Sequence, residues 1–465
     1  MKRRTRIVAT LGPATEEKKD IKAIIEAGMN IARLNFSHGS YEQYAKIVKN
    51  IRAIEKETGK VVSIMQDLQG PKIRIGQIPK SIEVKRGQEI TFSSKASDKD
   101  CIHIPYPPLP KIMKAGEHLL IEDGTIRTKV LSVKGHHIKV KVLNRGLIQK
   151  YKGVNIPDST MPKSGGLTAK DKKDLEYGIK KIKVNAVAVS FVERAEDIVQ
   201  VRKEIAKHTK REVMIIAKIE RKEALNNLEA IIAEADGVMV ARGDLGIETQ
   251  AERVPIVQKR ILKLARLDGK PVIIATQILQ SMVESPIATR AEVSDAANAI
   301  FDLADAFMLS NETAVGKYPV NAVKTLAKVA QETEAAIFTD HELYPIPMEE
   351  SSGLVEDEAI ALNAAYLADD VDANALIIMT KKGHTARTVI KHRPMAPIIV
   401  VTSDVTMVRR LNFMWGANDI LVIKAKLRSE DVKNQLKKKK IIKGPGDVVV
   451  VKLSDKKRSL VVIAV

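Results

Sequence analysis

The chain is poor in the residues that most often mark a specialised chemistry. One cysteine, Cys101, occurs in 465 residues, which excludes an internal disulfide and any zinc or iron-sulfur centre built from several thiolates. Aromatic residues make up only 3%, so the interleaved stacking platforms that bind single-stranded nucleic acid are largely missing. The longest uncharged stretch lies between Lys270 and Glu284, short of the roughly 18 apolar residues that span a bilayer. Met1 to Arg6 is basic, but Gly12 and Pro13 break the apolar stretch that follows; no secretory core forms there, and a cytoplasmic location is expected. Also absent are a GxxxxGK[ST] phosphate loop, a kinase glycine loop, a GxGxxG fingerprint, a GxSxG elbow and an HExxH helix. Any nucleotide must be held in another way.

What remains is ordinary globular material, 45% apolar and 29% charged, in a length that suits about three folding units. Bases outnumber acids 77 to 57, a balance of +20 that attracts anions. The densest basic run, Lys437 to Lys440, reads as a solvated helix face.

Short β-branched runs alternate with amphipathic helices from residue 5 onward. The strand-like runs Thr5 to Leu11, Asn30 to Asn35 and Val61 to Asp67 are separated by helical patterns at Glu16 to Ala27 and Tyr41 to Thr58, the latter with Ser40 as N-cap. Between Gly70 and Pro157 the pattern changes to glycine, proline and short alternating runs such as Ile126 to Val130 and Ile138 to Val142, which reads as a small β-domain. Alternation resumes with strands expected at Asn185 to Val189, Val213 to Lys218, Gly237 to Ala241, Pro271 to Ala275 and Ala306 to Leu309. Eight strand-helix units predict an α/β fold, a (β/α)8 barrel with a small β-barrel domain inserted after the third strand; an open doubly wound sheet is the alternative. Asp340 to Gly353 reads as a linker to a C-terminal α/β domain. The expected division is 1–69 and 158–339 for the barrel, 70–157 for the insertion and 354–465 for the last domain.

In such a barrel the chemistry gathers where strands end. The second strand ends in Arg33 and Asn35, the third in Asp67, the fifth in Lys218 and Glu220, the sixth leads to Asp244 and the seventh to Thr276. Lys218 and Glu220 are two apart, a spacing that turns both to one side of an extended segment. Asp244 follows Gly243 in a turn whose amides can meet an anion. Two carboxylates with a lysine suit Mg2+, which accepts one or two carboxylates and takes its other ligands from water and substrate. The bland reading pairs Glu220 with Lys218 or Arg221 at the rim.

These residues stand in long strings: Arg4 to Ala14, Ala32-Arg33-Leu34-Asn35-Phe36-Ser37-His38-Gly39, Gln66 to Arg74, Lys152 to Pro157, Ala217-Lys218-Ile219-Glu220, Met239 to Gly246, and Ala275-Thr276-Gln277 leading to Thr289-Arg290-Ala291-Glu292. Together they resemble the pyruvate kinase family over most of the chain. The resemblance implies phosphoryl transfer from phosphoenolpyruvate to ADP in a barrel with a β-barrel lid and a C-terminal domain, in a homotetramer that is often allosteric. It implies that Glu220 and Asp244 hold a divalent ion, Mg2+ or Mn2+, while a second ion arrives with the nucleotide. Lys218 and Arg33 would neutralise the transferred group, Gly243, Asp244 and Thr276 would hold the substrate carboxylate, and Thr276 with water would protonate the enolate. Asn35, His38 and Arg74 would meet the nucleotide phosphates, with Lys152 closing over them.

The sequence also departs from the family. Members that require K+ hold it with residues matching Asn35, Ser37 and Asp67 and carry a glutamate where this chain has Lys72. A lysine ammonium can replace the ion's charge, so activity without K+ is expected. Leu303 and Asn311 stand where the family usually has glycine. The family's effector loop reads Thr380-Lys381-Lys382-Gly383-His384-Thr385-Ala386-Arg387, which makes Thr380, Lys381, Lys382, Thr385 and Arg387 candidates for a phosphate-bearing regulator. The competing readings are a divalent-dependent aldolase or lyase acting on pyruvate enolates and a non-catalytic anion- or RNA-binding scaffold. ATP formation separates the first, and steep salt-dependent RNA affinity would favour the second.

Overall fold

The computed structural model describes residues 2–96, 98, 100–122, 124–159, 167–340, 355–423, 446–453 and 458–464. The Lys437 to Lys440 run and most of the expected linker lie outside the described residues.

Eight parallel strands close into a barrel: Arg6–Thr10, Ile31–Asn35, Ser63–Asp67, Ala186–Val189, Met214–Ile219, Gly237–Ala241, Val272–Ala275 and Ala306–Leu309. The first strand completes the ring by pairing with the eighth, Arg6 opposite Ala306 and Ala9 opposite Leu309. This closure replaces the open-sheet alternative. Alternation along each strand divides the apolar residues in two. Val8, Met65, Ile216, Met239, Ile273 and Met308 fill the interior, while Ile7, Ile64, Ile215, Val240 and Ile274 pack outward against the helices. Such strands are buried on both faces, which is why their sequences read as continuous apolar runs.

The helix Tyr41–Thr58 shows how local sequence sets an element. The Ser40 side chain accepts from the Gln43 N–H at 3.3 Å. Tyr44, Ile47, Val48, Ile51 and Ile54 then recur at three- and four-residue spacing as its buried stripe. It ends at Gly59, whose φ of 71° is the left-handed conformation that glycine adopts without strain.

Between the third and fourth barrel strands the chain builds a six-stranded sheet and a two-stranded ribbon. Val84 and Ile148 of the ribbon share one core with Phe92, Val130 and Val140 of the larger sheet. The C-terminal region forms a five-stranded sheet, parallel except for the antiparallel edge strand Ser459–Ala464. Its Phe413, 1% exposed, joins the core inside the barrel. Arg409, on the same side, grips Glu55 of the Tyr41–Thr58 helix with both terminal nitrogens, at 2.6 and 2.9 Å.

Among the described residues, no helix is long and apolar enough to cross a membrane. Leu303 adopts φ 67°, the left-handed region, which accounts for a glycine preference at that position. Asn311 starts a short helix and shows no such conformation.

Candidate active site

The ends of the second, third and fifth strands meet in an alternating row of charges. Arg33 Nε donates to Asp67 Oδ2 at 2.7 Å, and its Nη1 donates to Thr10 Oγ1 at 2.9 Å. Lys218 Nζ lies 3.2 Å from Asp67 Oδ1, 2.9 Å from Glu220 Oε1 and 2.7 Å from Ser190 Oγ. The order is therefore Arg33, Asp67, Lys218, Glu220, positive and negative in turn. All four are buried side chains, so each charge depends on its neighbours rather than on water.

The titration behaviour follows from that arrangement. Burial pushes the Asp67 carboxyl up, but Lys218 and Arg33 outweigh it and hold the group below the usual aspartate value. Burial opposes the Lys218 charge, yet Asp67 and Glu220 together raise its pKa and keep it an ammonium. Glu220 is pushed up, first by burial and then by the charge of Asp244, against the pull of Lys218. The Asp244 charge therefore acts on Glu220 in the same sense as burial. The expected pairing of Glu220 with Lys218 is present, at 2.9 Å.

Backbone geometry supports both acids. Glu220 Oε2 accepts from the Phe191 N–H at 2.8 Å, and Phe191 presents that N–H from a left-handed turn with φ 58°. Gly70 packs against this turn so closely that a Cβ would sit 2.8 Å from Phe191 Cδ2. Asp244 lies in the first turn of the helix Arg242–Thr249, which begins where the sixth strand stops. Its Oδ1 is 3.1 Å from Lys72 Nζ.

Thr276 completes the opposite wall. Its hydroxyl accepts from the Gly243 N–H at 2.8 Å and donates to the Ala275 carbonyl at 2.7 Å. Thr276 and Gln277 are both left-handed, with φ of 67° and 53°. Arg242 braces the turn by donating to both their carbonyls at 3.1 Å while it pairs with Asp295 at 2.8 Å. Strain held in this way by surrounding contacts is typical of functional turns.

Glu220 and Asp244 offer two carboxylates, the oxygen donors that a hard divalent cation such as Mg2+ takes one or two of. Among the described residues, no group of three or more His, Cys, Asp or Glu side chains could hold a metal ion by itself.

Comparison with known proteins bears on this geometry. Residues 2–323 match the family described as pyruvate kinase, barrel domain, and residues 358–459 match pyruvate kinase, alpha/beta domain. The chain belongs to the pyruvate kinase family. A pyruvate kinase of Geobacillus stearothermophilus is 43% identical over 421 residues, 90% of this chain and 71% of the relative. One from Clostridium acetobutylicum is 40% identical over 422 residues, 90% of this chain and 88% of the relative. A crystal structure of a pyruvate kinase from Cryptosporidium parvum superposes with a TM-score of 0.90 at 34% identity, covering 99% of this chain and 96% of that one. The chain is accordingly a phosphotransferase that acts on phosphoenolpyruvate and ADP. Divalent metal dependence is general in the family.

The remaining candidates are spread over the barrel, the inserted sheet and the C-terminal region. Asn35 Oδ1 accepts from the Ser37 N–H at 3.2 Å, which leaves both residues half-buried in one turn. His38 follows on that loop; desolvation first, then Arg74, Arg33, Lys170 and Lys72, lower its pKa. Arg74 donates to the Tyr151 carbonyl at 2.9 Å, so it sits against the segment that carries Lys152. The Lys152 ammonium itself pairs with Glu122 of the inserted sheet. In the C-terminal loop, the Thr380 hydroxyl accepts from the Gly383 N–H at 2.9 Å and Thr385 donates to the Leu453 carbonyl at 3.2 Å. Both threonines are buried, Lys381 and Lys382 are exposed, and Arg387 is half-buried.

Sequence reasoning missed Thr10, Ser190, the Phe191 N–H and the brace from Arg242. A signal existed for two of them. Ser190 and Phe191 directly follow the fourth strand, the place where the strand-end rule looks for function.

Proposed function

We propose that Glu220 and Asp244 are the ligands of the divalent ion, Mg2+ or Mn2+, used in transfer of the phosphoryl group from phosphoenolpyruvate to ADP. When bound there, such an ion supplies positive charge to the substrate oxygens. Lys218 and Arg33, which face the same mouth, neutralise the charge on the phosphoryl group as it moves. The Gly243 and Asp244 amides and the Thr276 hydroxyl receive the substrate carboxylate, and Thr276 with an ordered water returns a proton to the enolate. Asn35, His38 and Arg74 bind the nucleotide phosphates. Lys152 joins them from the inserted domain, which acts as a lid that excludes water.

The observation that carries this reading is the row Arg33, Asp67, Lys218 and Glu220 with Asp244 in electrostatic reach. Burying the Lys218 ammonium is costly unless it is paired, and Asp67 and Glu220 pair with it here. Activity without K+ belongs to the same reading, because Lys72 stands where K+-requiring members carry a glutamate and its tethered ammonium reaches Asp244. The reading includes domain boundaries at 1–69 with 158–339, 70–157 and 354–465, a cytoplasmic homotetramer, and allosteric response at Thr380, Lys381, Lys382, Thr385 and Arg387.

A coupled assay of ATP and pyruvate formation, with and without divalent ion, tests the centre of it. Activity should require the ion and should fall by at least about tenfold in Glu220→Gln. Full activity of that variant at limiting Mg2+ would remove Glu220 from the metal site.

A further inference from the structure

The seventh and eighth barrel strands begin just after Pro271 and Asp305, at the end of the barrel opposite the candidate active site. There the barrel meets the C-terminal region around a cavity of about 20 Å³. Arg266, Lys270 and Asp305 line it from the barrel, and Arg387, Lys391 and Arg393 from the C-terminal region. Asp305 is the only acid in that lining among the described residues, against five bases. Gly269 allows the close approach: its φ is 62°, and a Cβ on it would stand 3.4 Å from the Arg387 carbonyl oxygen.

Two of the cations have acceptors of their own. Lys270 Nζ donates to the Ala235 and Ala233 carbonyls at 2.7 and 3.0 Å, and Lys391 Nζ donates to Glu358 at 2.8 Å. Arg393 is served less well, although it is only 2% exposed. Its Nη2 donates to the Leu303 carbonyl at 2.7 Å. Its Nη1 lies 3.0 Å from Asp305 Oδ1, but neither Nη1 nor Nε makes a hydrogen bond among the described residues. The other oxygen of Asp305 is taken by the Val272 N–H at 2.8 Å.

A buried donor without an acceptor is costly, and in a native fold it points to a bound water or ion. Charge decides between these two. A water would satisfy an N–H but leave the excess of positive charge, whereas an anion answers both. The same excess acts on the adjacent His392, whose pKa falls to about 3 through burial first and then through the charges of Lys391 and Arg266. Size narrows the choice further, because a space of about 20 Å³ suits a particle close to the size of a water molecule. That favours a halide over a tetrahedral oxyanion.

We propose that this seam is a binding site for one small monovalent anion, chloride, held by Nε and Nη1 of Arg393 between the barrel and the C-terminal region. The ion sits among cations from both sides and so fastens the C-terminal region to the barrel. The assignment is independent of the metal ligands and of the phosphoryl-transfer chemistry at the other end.

The first measurement uses crystals of the full chain grown with sodium bromide as the only halide, with diffraction recorded at the bromine absorption edge. An anomalous peak is expected within about 3.5 Å of Arg393 Nε. The second is thermal unfolding in sodium chloride against sodium gluconate at equal ionic strength. Chloride should raise the unfolding temperature by about 1–3 °C more than gluconate and then saturate. Arg393→Lys keeps a positive charge and removes Nε, so it should lose both the peak and the shift. A water at that place without a bromine peak would overturn the proposal. A peak with no saturable shift would mean binding at crystal concentration only, and would overturn it equally. Persistence of both signals in Arg393→Lys would take the anion away from this guanidinium; should that variant not fold, the two wild-type measurements still decide.

Discussion

Lys72 and Asp244 are 172 positions apart, yet the ammonium of one lies 3.1 Å from a carboxylate oxygen of the other. Each proposed metal carboxylate is thus held by a lysine in this structure, Asp244 by Lys72 and Glu220 by Lys218. The charge of the site is balanced by groups that cannot diffuse away.

On the proposed reading, the tethered Lys72 ammonium takes the place of a dissolved K+. The rate in potassium-free tetramethylammonium buffer should lie within about twofold of the rate in KCl. Lys72→Glu should lose activity in the first buffer and recover it in the second. Collapse of the wild-type rate without potassium, restored by KCl, would refute the substitution.

Lys218 separates two buried carboxylates, so its removal acts on both chemistry and stability. Lys218→Met should lower kcat about 10²- to 10³-fold, the scale of losing one fixed charge in a dry site. It should also destabilise the fold by about 3–5 kcal/mol, because Glu220 loses its ammonium partner and Asp67 keeps only Arg33. Steady-state kinetics and calorimetry measure the two effects, and a variant with wild-type kcat would exclude Lys218 from catalysis.

Glu55 ties the barrel to the C-terminal region through Arg409. Burial pushes its carboxyl up, but hydrogen bonds from Arg409 and the Val62 N–H, with the charge of Arg52, bring the net value below that of ordinary glutamate. A depressed folded pKa stabilises at pH values above the unfolded value of about 4.3 and is lost as pH falls through the folded one. Glu55→Gln should therefore cost about 1–3 kcal/mol at pH 7, and less as pH drops below about 4. A cost that stays constant with pH in thermal unfolding would show that packing, not charge, holds the contact.

Desolvation, reinforced by the cations around it, lowers the His38 pKa and so favours the neutral ring. If it meets nucleotide phosphate, it does so as a hydrogen-bond donor rather than as an imidazolium. KM for ADP should accordingly stay within about twofold between pH 6.5 and 8. A rise through the ordinary histidine range, abolished in His38→Asn, would contradict this.

Leu303 tolerates a left-handed backbone that glycine would adopt freely. Leu303→Gly should change stability by no more than about 1 kcal/mol, because relief of strain opposes greater freedom of the unfolded chain. Arg393 Nη2 donates to the Leu303 carbonyl at 2.7 Å, a bond to the backbone that survives the change. A loss of several kcal/mol would mean that the leucine side chain is a packing residue.

Much of this was legible along the chain because the governing rules are local. Strand periods place Gly237–Ala241 and Ala306–Leu309 at their expected bounds, and Ser40 marks the start of its helix. The strand-end rule singles out Arg33, Asp67, Lys218, Glu220 and Asp244 from the sequence alone. Strand starts were less legible: Pro271 precedes its strand and Val61 lies two residues outside, because a β-branched run continues past the last ladder hydrogen bond.

By itself, then, the sequence determined which elements form, in what order, and which polar side chains stand at one end of the barrel. Only the tertiary structure decided which charge meets which: Lys218 between Asp67 and Glu220, Lys72 on Asp244, Arg221 behind Glu248, and Phe413 inside the barrel. Periodicity records the face a residue takes, whereas partnership across a hundred residues depends on how the barrel closes and where the inserted domain comes to rest.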